Sequence, residues 1–227
     1  MRSSIQTILL GLTALFALSL NSMGTASSVT GLAHPNENPA HLTLAWRDGH
    51  ELFPYDLRIM TREVESLFEA WGVRIDWELD DESISKFEPA LNVVLLPSEP
   101  SGPGWRIEAS AMGAFLHETG AERTVYIFFP NVMRAIRLDP QIERILSLRE
   151  RRDLSRALAR VVAHEVIHAI APSLPHSSKG LMSASLDSTF LTKRKVLVDA
   201  RSGDAFVRSL RRWLPARQRL VAKNRHR

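Results

Sequence analysis

Cysteine is absent from all 227 residues. That absence excludes disulfides, a lipid-bearing cysteine and every thiolate metal site, including the cysteine pair of the zinc deaminases. Long apolar runs are scarce as well. Beyond the first 26 residues no segment is long and apolar enough to span a bilayer, which takes about 20 residues. There is no internal repeat, and no nucleic-acid motif or interleaving of aromatic with basic residues. Charge of one sign is only slightly in excess, with 29 Lys and Arg against 25 Asp and Glu, a formal +4. Much of that excess falls late, at Arg208, Arg211, Arg212, Arg217, Arg219, Lys223, Arg225 and Arg227. A solvated helix face with a frayed basic end accounts for it better than adhesion to lipid or nucleic acid.

What is present is ordinary globular material: 44% hydrophobic and 24% charged residues, enough to bury a core in one domain. The first 26 residues read as an export signal. Arg2 supplies the positive start, Ile8 to Leu20 is a short uncharged apolar stretch, and Gly24-Thr25-Ala26 offers small residues for cleavage after Ala26. An uncleaved anchor is the alternative. An exported chain without disulfides suits a bacterial periplasm or secretion from a bacterium. Residues 27–40 then form a flexible lead-in, 41–215 the domain, and 216–227 a basic tail.

Hydropathy periods lay out the domain. Leu42, Leu44 and Trp46 alternate as in a first strand. Leu57, Met60, Val64, Leu67, Phe68 and Trp71 recur at helical spacing, and Gly72 is placed to end that helix. Val73, Ile75, Trp77 and Leu79 alternate with charged residues, which predicts a half-buried strand. Leu91 to Leu96 reads as an interior strand, 97–104 as a loop rich in Pro and Gly, Ile107 to Phe115 as a strand, and Thr124 to Phe129 as another. Asn131 starts a short helix. A long helix extends from Asp153 to Ala171, with Arg152, Arg156 and Arg160 on a polar face and an apolar second half. Pro172 stops it and Pro175 stiffens the turn beyond. After Met182 comes a small helical piece, with Ala205 to Leu214 its best stretch. The class is α+β, helices packed on a mixed sheet.

The chemistry concentrates in the second half of that long helix. His164 and His168 are four apart and share one helix face, so both can grip a single tetrahedral cation. Glu165 stands beside the first, placed to take a proton from a water at the metal. Charged groups on a helix entering the core need a compensating partner, and one zinc ion is the simplest. His176, brought back by the prolines, would be the third ligand and leave the fourth position open for water. Asp187, Asp199 and Asp204 compete with it. Met182 reads equally as a core methionine or as part of an apolar floor under the ligands.

The stretch HEVIHAIAPSLPHSSKGLM, residues 164–182, resembles the metzincin clan of zinc peptidases, whose pattern is HExxHxxGxxH followed by a methionine turn. It is more similar to a bacterial metzincin-like group with HExxHxxxxxxxH and a G-[IL]-M turn. Ala111 to Ala114 and Thr124 to Phe128 resemble that group's last two strands, and the likeness spans about Leu42 to Ser185. Ala171 stands where the clan has glycine, and no tyrosine follows Met182. The resemblance implies a zincin fold, a twisted mixed sheet with a long active-site helix. It also implies one zinc on His164, His168 and His176, Glu165 as general base, Met182 in the methionine turn, and the strand around Ala109 to Phe115 at the cleft edge. Peptides or proteins would be the substrates. Two rival readings stand beside it: a zincin with an Asp as third ligand, and a non-catalytic exported protein that binds metal or a partner.

Overall fold

The computed structural model describes residues 39–79, 91–98, 108–117, 123–141, 144–196 and 198–224. The export signal, nearly all of the lead-in, most of the 97–104 loop and the last three residues lie outside them. The order is β1 (Ala40–Asp48), α1 (Pro54–Glu69), β2 (Val73–Glu78), β3 (Leu91–Leu96), β4 (Gly113–His117), β5 (Arg123–Phe128), α2 (Phe129–Ala135), α3 (Leu148–Ile170), α4 (Ser188–Thr192) and α5 (Ala200–Asn224). This is a mixed α/β architecture around one five-stranded sheet.

The sheet runs β2-β1-β3-β5-β4. Its first four strands are parallel, and β4 pairs antiparallel with β5 at the far edge. Parallel neighbours need crossovers, and α1 supplies the one from β1 to β2. Alternation in β1 marks only one of its faces, yet Leu42 through Trp46 are all buried, Thr43 and Ala45 included. With β2 and β3 on either side, β1 is an interior strand covered on both faces. Beyond α1 the chain turns at Gly72, whose φ of +70° is the left-handed conformation that favours glycine.

α3 is the structural axis. It packs against α1, α2, α4 and α5 and against β4 and β5. It begins at Leu148, five residues before the start predicted from hydropathy. Ser147 and Glu150 form a capping box there, the Glu150 side chain accepting from the Ser147 N–H at 2.9 Å and the hydroxyl accepting from Glu150 N–H at 3.3 Å. One turn on, Arg151 pairs with the buried Asp56 of α1 through its Nε at 3.0 Å and its Nη2 at 2.9 Å, which fixes the two helices at that end.

Two other expectations shift. Arg160, predicted on a polar face, is fully buried. α4 and the residue after it fold over that face, so its guanidinium donates to the carbonyls of Phe190 and Lys193 and to Glu63. The strand predicted from Ile107 begins at Gly113 instead, because residues 108–111 form a turn closed by Ala111 N–H on the Glu108 carbonyl at 2.9 Å. The buried Asn131 draws the carbonyls of Ala109 and Ala111 onto its amide, at 3.0 and 2.6 Å, and so keeps that segment out of the ladder.

Candidate metal centre

Helical spacing brings His164 and His168 onto one face of the last two turns of α3, with ring centroids 4.7 Å apart. His164 is nearly buried, and its Nδ1 lies 2.7 Å from the carbonyl oxygen of Leu181. A carbonyl can only accept, so Nδ1 carries the proton and Nε2 is left with the lone pair. Leu181 sits in a tight turn closed by Ser183 N–H on the Gly180 carbonyl at 3.1 Å, which Gly180 enters at φ +83°.

The same turn positions the third imidazole. After α3 the chain reverses through a turn from Ala171 to Leu174, whose N–H donates to the Ala171 carbonyl at 2.9 Å. Ala171 has φ −124°, so this reversal makes no demand for glycine. His176 comes next, and Ser177 N–H then donates to the Met182 carbonyl at 2.7 Å, pairing Ser177 with Ser183. One loop therefore delivers both the carbonyl that orients His164 and the backbone that carries His176. Met182 is fully buried in the core beneath it.

The three ring nitrogens lie within 4.8 Å of one another, with His168 Nε2 and His176 Nε2 at 3.0 Å. Tetrahedral zinc with Zn–N bonds near 2.0–2.1 Å separates its ligand nitrogens by about 3.3 Å, so the group is close to the size a single ion requires. Its protonation fits as well. Burial depresses the His164 imidazole, and burial together with the neighbouring His164 and His176 rings pushes His168 down to about 3. Both are neutral at pH 7 and able to bind a cation. Among the described residues these three form the group that could hold a metal, and imidazoles suit zinc.

None of the three aspartates is in the group that could hold a metal: two are occupied elsewhere and one faces solvent. Asp187 accepts from Phe190 N–H at 2.7 Å and caps α4, while Asp199 accepts from Ser202 N–H at 2.7 Å at the start of α5. Asp204 is exposed on α5. It is His176 that the fold brings to the pair.

Glu165 lines the same cleft as His164 and His176. Its side chain packs on Gly113 of β4, where an added Cβ would lie 2.7 Å from Glu165 Cγ and 3.0 Å from the Tyr126 carbonyl. That close approach of α3 to the edge strand desolvates the carboxyl and pushes it up to about 8. A cleft of about 730 Å³ opens over His164, Glu165 and His176 and continues past Met112 and Gly113 to Asn131 and Arg134. Sequence reasoning noted Asn131 only as a helix start and missed Arg134 and the Leu181 carbonyl. A backbone oxygen has no residue-type signature, and nothing local in the sequence sends α2 to the cleft.

The chain matches no family model and no curated protein. Among solved structures it is similar to archaemetzincin from Methanopyrus kandleri, with a TM-score of 0.44 and 16% identity over 78% of this chain and 99% of that one. A likeness at that level assigns neither chemistry nor residues.

Proposed function

We propose that this chain is a zinc-dependent endopeptidase, with one zinc ion on His164, His168 and His176 and with Glu165 as general base. The observation that carries the reading is the convergence of three imidazole nitrogens within 4.8 Å, beside a carboxylate that opens on the same cleft. Zinc held there supplies a Lewis acid for the scissile carbonyl and lowers the pKa of water to about 7.

The chain's own residues do the rest. Glu165 accepts the proton of the attacking water and passes it to the leaving amine, splitting a strong acid–base demand into two short transfers. The desolvation that raises its pKa makes the carboxylate a better base, and a nearby dication offsets part of that rise. The His164–Leu181 hydrogen bond holds the first ligand in one tautomer and one orientation. Edge strand β4 offers its outer backbone groups to a peptide as an added strand, and one of its N–H groups to the developing oxyanion. In this reading Gly180-Leu181-Met182 is the methionine turn, an apolar floor without chemistry of its own. We place the reaction in the periplasm or outside the cell on the strength of residues 1–26. Among the described residues no helix is long and apolar enough to cross a membrane.

Digestion of a mixed peptide library, with and without a chelator, tests the proposal. Cleavage should stop on chelation and return with zinc. Glu165→Gln should keep zinc and cut slower by about 10²–10⁴. Equal rates from E165Q and the wild type contradict the assignment, and stoichiometric zinc without any cleavage favours a non-catalytic binding protein.

A further inference from the structure

Arg134 is the single Lys or Arg among the described residues that line the cleft holding His164, Glu165 and His176. It projects from the last turn of α2 and is exposed on its solvent side. It is not a loosely tethered surface cation. An Nη1 hydrogen bond to the Oδ1 of Asn131 anchors it, and Asn131 is buried. The amide of Asn131 has only one orientation open to it. Its Nδ2 donates to the carbonyls of Ala109 and Ala111, so its oxygen must face the guanidinium. One buried side chain thus ties together the cation and the turn that leads into β4.

The placement also has a direction. A peptide added antiparallel to β4 runs towards Gly113 and the 108–112 turn as it runs towards its own C-terminus. Glu165 lies against Gly113, so for a peptide in that orientation the bond to be cut would sit near that end, and Arg134 would meet the substrate residues on its C-terminal side. A guanidinium presents several N–H donors in a planar fork that matches a carboxylate.

We propose that Arg134 is a specificity-determining residue that selects a substrate carboxylate on the C-terminal side of the cleaved bond. The carboxylate is either an Asp or Glu side chain or the free C-terminus of a short peptide. This rests on the peptidase reading above and narrows its substrate class.

The test uses matched peptides on the full zinc-loaded protein: Asp or Glu against Asn or Gln after the cleaved bond, and free against amidated C-termini. The wild type should favour the carboxylate member by about tenfold or more in kcat/KM. The side-chain and C-terminal arms identify which source is read. Arg134→Ala should bring the acid-to-amide ratio close to one, and Arg134→Lys should keep part of it. The same pairs are titrated onto zinc-loaded E165Q, where the Kd ratio reports recognition without turnover. If no peptide is cleaved but this ratio still favours the acid and falls in R134A/E165Q, the peptidase reading fails and the carboxylate site stands. Equal treatment of acid and amide by the wild type in the cleavage assay and by E165Q in binding overturns the proposal, as does an R134A protein with an undiminished preference.

Discussion

The Nδ1–H of His164 donates to the carbonyl oxygen of Leu181 across 2.7 Å, so a residue of the long helix is oriented by a loop that begins several residues later. The bond depends on Gly180, which turns the chain at φ +83°. A β-branched residue there costs roughly 1–2 kcal/mol in backbone strain. Gly180→Val should therefore displace the Leu181 carbonyl and weaken zinc binding by about 10–100-fold, the usual effect of losing an orienting partner. Competition with a chromogenic chelator measures it, and unchanged affinity would remove the carbonyl from the account.

Gly113 sits where helix and edge strand touch. A methyl group there would be 2.7 Å from Glu165 Cγ and 3.0 Å from a backbone carbonyl, and the carbonyl cannot rotate away. Gly113→Ala should cost about 1–3 kcal/mol in urea unfolding and should lower kcat through a displaced Glu165. An alanine variant with native stability and rate would show that the contact is slack.

The desolvated Glu165 carboxyl sets a pH dependence in metal-free protein. Glu165 is raised from its usual 4.5 to about 8, so its contribution to stability is whole below pH 4.5 and is lost as pH rises to 8. Across that window the unfolded chain ionises Glu165 while the folded one still holds its proton. His168 works in the opposite sense. Depressed from 6.5 to about 3, it contributes above pH 6.5 and loses that contribution as pH falls towards 3. In chelator, the Tm of Glu165→Gln minus that of the wild type should grow between pH 5 and pH 8. A flat difference would mean that the carboxyl is hydrated.

Much of the sheet was legible because alternation and β-branching are local properties. β2, β3 and β5 lie within a residue or two of the strands predicted for them, and α1 covers most of its helical pattern. The His164, His168, His176 cluster was legible for a similar reason: a four-residue helical spacing and two prolines confine all three to a short stretch of chain. The start of α3 was encoded in Ser147-x-x-Glu150 and hidden only because Leu148 and its neighbours lack an apolar period. Arg160 was not legible, since the carbonyls of Phe190 and Lys193 that receive it arrive some thirty residues later. The same applies to β4. Its onset is set by the Asn131 amide, some twenty residues downstream, and not by its own sequence.

Zinc content of the purified protein, wild type against His176→Ala, tests the centre of the account most directly. One zinc per wild-type chain, lost or greatly reduced in H176A, is the expected result. A wild-type protein without stoichiometric zinc, or an H176A protein that retains it in full, would contradict the three-histidine site.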